Sequence, residues 1–268
     1  MNWSQIDENA KRWTREAGER IRASFNEKLM IHTKTSPDDL VTNIDRETEQ
    51  YFIEKIRSTY PEHQILGEEG FGDKIDKLDG TVWIIDPIDG TMNFVHQQRN
   101  FAISVAVYHD GVGKIGLIYD VVHDELYHAK ADEGAYLDDV KLPKLEEVAM
   151  EQAIIGLNAT WITENKRIDP SILAPLVRRV RGTRSYGSAA LEMAYVTTGR
   201  IDAYITLRLS PWDFAAGLIL VNEVGGKVTT LHGEELNLLG QNSVFVCKPG
   251  LHEAISKEYL SKLEKKSK

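Results

Sequence analysis

Three stretches of this 268-residue chain carry carboxylates at spacings that can do chemistry. The first is Trp83-Ile-Ile-Asp86-Pro87-Ile88-Asp89-Gly90-Thr91. Two acids three positions apart flank a proline, and a glycine and a hydroxyl follow. Pro87 sets its own φ, so the turn presenting both acids has little conformational freedom to lose. Hard cations such as Mg²⁺ take oxygen ligands in octahedral array and keep several waters. Asp86 and Asp89 offer side-chain oxygens, with the Ile88 carbonyl between them. Gly90 and Thr91 then offer backbone N–H groups to an anion at an expected helix start. The second stretch is Leu66-Gly67-Glu68-Glu69-Gly70, and the third is Pro211-Trp212-Asp213-Phe214-Ala215-Ala216-Gly217. Taken singly, each has a plain reading: a D-G turn after a strand, a solvated acidic turn, and an aspartate capping a helix. They gain meaning if the fold brings them together, which spacing alone does not decide.

The elements that must position these residues are written in the hydrophobic pattern. Trp3, Ile6, Ala10, Trp13, Ala17, Ile21, Phe25 and Leu29 recur at three- and four-residue steps and predict one helix over residues 3–31. Thr33 to Asp39 reads as a loop. A second helix is expected from Asn43 to Tyr60, ended by Pro61, with Thr42-x-x-Asp45 as its capping box. A short strand is expected at 64–67. The apolar run Thr81–Asp86 reads as a buried strand that delivers a carboxylate at its tip. Alternation over 101–108 and strands near 114–121, 125–131 and 135–137, punctuated by Asp110-Gly111 and Asp132-Glu133-Gly134, predict an antiparallel meander.

Beyond Pro143 the pattern changes. A strand at 153–157, helices at 170–180 and 188–198, and a strand at 201–206 are expected, with Gly199 as the C′ residue of the second of these helices. A helix from about Asp213 to Val224 stops at Gly225-Gly226. Strands near 227–230 and 243–247 and a Lys-rich C-terminal helix follow; Cys247 lies in the last of these strands and reads as core. Pro143–Met150 is the expected boundary between an α+β half, residues 1–145, with an antiparallel sheet and the Asp86–Thr91 loop, and an α/β half, residues 146–268, carrying the Trp212-Asp213 stretch.

Composition narrows the function classes. The chain is 42% hydrophobic and 27% charged, with 20 glycines and 8 prolines, which excludes collagen-like and wholly disordered chains. No apolar run approaches the roughly 18 residues that span a bilayer, and the polar Met1–Arg12 shows no secretory signal. One cysteine forms no internal disulfide and fits a reducing, cytoplasmic setting. Forty-one acidic against 32 basic residues give a formal charge of −9. That balance argues against nucleic acid and against a membrane surface as partners.

Asp86-Pro-Ile-Asp-Gly-Thr91 with the downstream Trp212-Asp213-x-Ala-Ala-Gly217 resembles the inositol monophosphatase family of Mg²⁺-dependent, lithium-sensitive phosphomonoesterases. Further pieces run in the family's order: Ser36-Pro37-x-Asp39-Leu40-Val41-Thr42-x-x-Asp45, Gly67-Glu68-Glu69 and Gly187-Ser188-Ala189-Ala190. The resemblance implies an α+β sugar-phosphatase fold, a layered αβαβα sandwich, with two or three Mg²⁺ ions per active site. Glu68, Asp86 and the Ile88 carbonyl resemble the ligands of the first metal. Asp86, Asp89 and Asp213 resemble those of the second, and Glu68 would also touch a third. Gly90 and Thr91 would hold the phosphate, and Asp45 would pair with the Thr91 hydroxyl. Gly187, Ser188 and Ala189 would line the substrate's side; Lys34 is a looser match. The implied reaction is hydrolysis by a metal-activated water, in a cytoplasmic homodimer.

One position departs from the family's pattern. Where many inositol phosphatases carry an acid seven residues before the Trp-Asp aspartate, this chain has Thr206. A threonine cannot supply a carboxylate's charge or bidentate acceptance. Arg208, two residues on, would favour a second phosphate if it reaches the pocket. The leading expectation is therefore a phosphatase for inositol monophosphate or a related small polyol or sugar phosphate. The alternatives are a fructose-1,6-bisphosphatase or a phosphonucleotide or NADP phosphatase of the same fold. A non-catalytic regulatory partner protein is the alternative from another class.

Overall fold

The computed structural model describes residues 1–34 and 40–263. In chain order, α1 (Trp3–Ala23) leads into the antiparallel pair β1 (Ile31–Thr33) and β2 (Leu40–Thr42), then α2 (Asn43–Thr59), β3 (Gln64–Gly67), β4 (Thr81–Asp89) and α3 (Thr91–Gln97). The meander follows as β5 (Ala102–His109), β6 (Val112–Asp120), β7 (Glu125–Lys130), β8 (Gly134–Leu137) and β9 (Val140–Lys141). Residues 142–149 carry neither helix nor strand. The chain continues with β10 (Ile154–Leu157), α4 (Pro170–Arg179), β11 (Gly182–Arg184), α5 (Ala189–Thr197) and β12 (Ala203–Leu209). It ends with α6 (Pro211–Glu223), β13 (Lys227–Thr229), β14 (Asn242–Cys247) and α7 (Leu251–Glu258).

Every residue of β4 is buried, so both faces of its sheet must be covered. Successive side chains point to opposite faces. Trp83 and Ile85 therefore pack with Trp13 and Ile21 of α1 and Phe52 and Ile56 of α2. Val82 and Ile84 face the other way, toward Leu191 and Met193 of α5 and Phe214 and Leu220 of α6. The same two helices cover a second sheet, ordered β11-β10-β12-β14-β13, whose far face buries Ala203, Ile205, Phe245 and Cys247 against α4 and α7. The layers thus alternate helix, sheet, helix, sheet, helix. The two central helices approach closely at Gly217 of α6, where a Cβ would sit 2.6 Å from the Met193 sulfur of α5.

Several expectations need correcting. The first helix ends at Ala23, not residue 31. Ser24 turns its hydroxyl back onto the Ile21 carbonyl at 2.7 Å, and Glu27 is already extended (φ −90°, ψ 158°). Phe25 and Leu29 still pack on the core, which is why their spacing mimics a longer helix. The first sheet, ordered β3-β4-β5-β6-β7-β8-β9, is mixed rather than antiparallel throughout, because β3 runs parallel to β4. β12 extends to Leu209, so Thr206 lies inside the strand, where its register with β14 breaks. The short strands β1, β2 and β11 carry too few residues to show a period. Ser36, Pro37 and Asp39, with most of the expected loop, lie outside the described residues, as does the lysine-rich end after residue 263.

Candidate active site

The site is built at the end of β4, where the strand stops being regular. Asp86 pairs with Ser104 of β5 and Asp89 with Ala102, so the register slips across Pro87-Ile88. The extra residue bends the strand and turns both acids toward one place. Asp86 locks the bend by accepting the Ile88 N–H at 2.9 Å. Gly90 then takes φ +95°, the left-handed region open to glycine, and α3 starts at Thr91. The Thr91 hydroxyl lies 2.9 Å from Asp45 Oδ1 and 3.1 Å from the Ile88 carbonyl.

Asp45 does two jobs on α2. It is fully buried and closes the capping box by accepting the Thr42 N–H at 2.9 Å. Its other oxygen faces Thr91. Burial raises its pKa above the ordinary carboxylate range, against the bonds from Thr42 and Thr91. One helical turn later, Glu49 is also fully buried. It accepts the backbone N–H groups of Glu69 at 2.7 Å and Phe71 at 2.9 Å, and so clamps the turn that carries Glu68. Gly67 is required beside it, since a Cβ there would lie 2.5 Å from the Glu49 carboxyl carbon.

Asp213 arrives from the C-terminal part of the chain as the third residue of α6. It closes that helix's capping box by accepting the Ser210 N–H at 2.7 Å. Asp86, Asp89 and Asp213 each place a carboxylate oxygen within 4.8 Å of the others. Burial raises the pKa of all three, and Glu68 adds its own negative charge to each. Asp89 rises only to about 6, because the Ser188 hydroxyl and the Ala190 N–H (2.7 Å) both donate to its Oδ2. Glu68 lies against Asp86 on one side; on the other its carboxylate meets the Lys34 ammonium at 2.9 Å, and Lys34 also pairs with Glu69. Burial disfavours the Lys34 charge, but the two glutamates outweigh it and hold its pKa above the ordinary value.

The sequence matches the profile of the inositol monophosphatase family over residues 2–267. It is 64% identical over 259 residues to the inositol-1-monophosphatase of Bacillus subtilis, covering 97% of this chain and 98% of that one. The chain belongs to the inositol monophosphatase family. Its fold superposes with a TM-score of 0.87 on staphylococcal IMPase-II solved with inositol monophosphate bound, at 46% identity and covering 96% and 94% of the two chains. A second solved relative, an IMPase/NADP phosphatase complexed with Mg²⁺ and phosphate, superposes with a TM-score of 0.88 at 30% identity, covering 96% and 95%.

Two cavities flank the acids of this inositol monophosphatase-family fold. One, of about 220 Å³, is lined by Asp89, Gly187, Ser188, Ala189, Glu192 and Thr206, among others. The other, of about 290 Å³, is lined by Lys34, Glu68, Asp213 and Arg208. The structure therefore separates Thr206 from Arg208, which the sequence groups together. A further cavity, about 490 Å³ beside Tyr108, Ile219 and Leu236, contains none of the expected site residues. Two buried glutamates escaped the sequence reading. Glu49 lies four residues after Asp45, on the same helix face. Glu192 follows Gly187-Ser188-Ala189-Ala190 and accepts the Tyr186 N–H at 2.9 Å. Burial raises Glu192 to about 7.

Proposed function

We propose that this chain is a phosphomonoesterase that uses Mg²⁺ to hydrolyse inositol monophosphate or a related small polyol or sugar phosphate. The observation that carries this reading is the joining of Asp86, Asp89 and Asp213 within 4.8 Å, next to the Thr91–Asp45 pair. The donor set fits a hard cation, because the side chains that converge are all carboxylates. Asp86, Asp89 and Asp213 would hold one ion. Glu68, Asp86 and the Ile88 carbonyl would hold another, with Glu68 reaching toward a third. When bound, Mg²⁺ supplies charge neutralisation and a water acidic enough to attack near neutral pH.

The chain's own groups do the rest. Thr91 passes its hydroxyl proton to Asp45 and takes one from the attacking water. Burial suits Asp45 to that proton by raising its affinity for it. The backbone N–H groups of Gly90 and Thr91 orient the phosphate. Ser188 keeps Asp89 in place, and the cavity beside Thr206 receives the alcohol as the ester bond breaks. A phosphate-release panel over inositol monophosphates, fructose bisphosphate, 3′-phosphonucleotides and NADP, with and without Mg²⁺, tests the reading. Turnover should require Mg²⁺ and favour a polyol monophosphate, and millimolar lithium should inhibit it. Full turnover in excess EDTA after metal stripping would overturn it.

Arg208 supports a second reading. It is exposed, has no carboxylate partner among the described residues, and lines the cavity that also holds Lys34. A second phosphate on a bisphosphate or nucleotide would suit it. Arg208→Gln should then raise KM for such a substrate several-fold and leave inositol monophosphate unchanged. A homodimer, a cytoplasmic location and a division into residues 1–145 and 146–268 belong to the same proposal. Light scattering should give twice the 30.3 kDa chain mass, and limited proteolysis should cut first within residues 142–149.

A further inference from the structure

The cavity of about 220 Å³ beside Asp89 has one buried acid in its lining with no role in the hydrolysis proposed for the site. Glu192, on α5, lines it together with Thr206, Asn158 and Tyr204. The residue is only 3% exposed. Its Oε1 accepts the Tyr186 N–H, and its Oε2 has no hydrogen-bond partner among the described residues. The space for Oε2 comes from Gly156 on β10, where a Cβ would lie 2.1 Å from that oxygen. A buried carboxyl oxygen left unpaired bears its desolvation cost with nothing in return, so the position suits a donor from outside the chain. The terminal torsion of a glutamate is broad, so the carboxyl can turn toward the cavity without a rotamer penalty.

We propose that Glu192 is a specificity-determining residue that accepts a hydrogen bond from a hydroxyl of the polyol leaving group, supplying from α5 the acid that position 206 lacks. This rests on the polyol-phosphatase reading above. The chemistry is complementary. A hydroxyl is a donor that stays neutral, so it fills the empty acceptor without adding charge beside Asp89. Ser188 and Thr206 line the same cavity, with Asp89 at its edge toward the acid triad, and Glu192 is not one of the three acids that converge; this puts Glu192 on the alcohol's side of the ester. Its Oε1 has a separate task, holding the strand end that leads to Ser188, and a test must keep the two tasks apart.

Glu192→Gln keeps an oxygen for the Tyr186 N–H and replaces the free acceptor with an amide. Phosphate release is measured with excess Mg²⁺ from inositol 1-phosphate and from p-nitrophenyl phosphate, whose leaving group carries no second hydroxyl. The expected result is a KM for inositol 1-phosphate raised about tenfold with kcat within threefold, as for a contact made equally in ground and transition states. Both constants for p-nitrophenyl phosphate should stay within twofold. Thr206→Glu in the Glu192→Gln background should recover at least threefold of the lost KM. Equal losses on both substrates would mean that Glu192 only holds the Ser188 loop, and would overturn the proposal. So would unchanged constants on both. If Glu192→Gln does not fold, Glu192→Asp, which withdraws the carboxylate by one methylene, should show the same selective KM rise, and equal effects on the two substrates would again overturn it. A wild-type protein that hydrolyses neither substrate overturns the phosphatase reading and this proposal together. A wild type that hydrolyses both, with an indifferent variant, overturns this one alone.

Discussion

Two groups of carboxylates in this molecule meet opposite fates. Glu125, at the start of β7, faces Arg200 across two close contacts, the shorter 2.6 Å. The Arg200 guanidinium holds its pKa down to about 2. Asp86, Asp89 and Asp213 have no side-chain cation among the described residues, and burial together with the Glu68 charge pushes all three upward. A carboxylate kept for stability brings its own counter-charge. The set proposed for metal binding would leave that charge to be supplied, and the fold tolerates the set because each acid also closes a piece of backbone: the β4 bend for Asp86, the start of α5 for Asp89, a capping box for Asp213.

Removing charge from the binding set should have the largest effect. Asp213→Asn keeps the size and an oxygen for the Ser210 N–H, so the helix should survive. Turnover should fall by roughly a hundredfold or more, the scale of a metal contribution of several kcal/mol. Without metal, its melting temperature should equal or exceed that of the parent, because one like charge is gone. Turnover within a few-fold of the parent, or a melting point several degrees lower, would break the contrast between the two carboxylate groups.

Supplying the missing charge should have the next largest effect. Mg²⁺ at about a hundred times its dissociation constant should stabilise the fold by about 2.7 kcal/mol. Thermal melts with Mg²⁺ against EDTA measure it, and Asp213→Asn should show a smaller gain. A parent whose melting point ignores Mg²⁺ would remove the binding role from the set.

How much of this was legible beforehand follows from the range of each interaction. Asp86, Asp89 and the Thr42–Asp45 capping box could be read because each is local: a strand end, a proline, a helix start. The layers could be anticipated because β4 is apolar at alternate and intervening positions alike, so both of its faces need cover. The meeting of Asp213 with Asp86 could not, since two strand and helix ends from different halves of the chain approach only through packing of α6 on the sheet. Glu49 and Glu192 were missed for a related reason. A glutamate in a helix reads as solvent-facing, and only the returning backbone, Glu69 and Phe71 for one and Tyr186 for the other, makes burial tolerable. The overlong first helix came from Phe25 and Leu29, which keep helical spacing after the helix has ended.

A middle case sharpens the contrast. Ser188 both caps α5, where the Leu191 N–H reaches its hydroxyl at 3.3 Å, and donates to Asp89. Ser188→Ala should cost about 1 kcal/mol of stability as a lost cap. It should lower kcat about tenfold, as expected for one lost hydrogen bond to a charged group. The Ala190 N–H still holds Asp89, so the loss should stay below that of Asp213→Asn. Equal losses in the two variants would mean that Asp89 depends on Ser188 alone.

The smallest effect belongs to the structural pair. Glu125→Gln removes the charge that Arg200 faces, and Arg200 is also held by the Tyr127 hydroxyl and lies 5.5 Å from the Tyr195 ring centre. Both side chains are substantially exposed, so solvent screens the pair and the loss should be below about 1 kcal/mol, or a few degrees in a domain of this size. The pH dependence has a definite sign. A carboxyl whose folded pKa lies below its unfolded value, here about 2 against an ordinary 4.5, stabilises above the unfolded value and loses that contribution as pH falls through the folded one. The gap in melting temperature between parent and Glu125→Gln should therefore be full at pH 7, begin to narrow below about pH 4.5, and close near pH 2, while kcat and KM at pH 7 stay unchanged. A variant that loses turnover as Asp213→Asn does, with its melting point intact, would show that Glu125 belongs to the functional set and that counter-charge does not separate the two kinds of carboxylate.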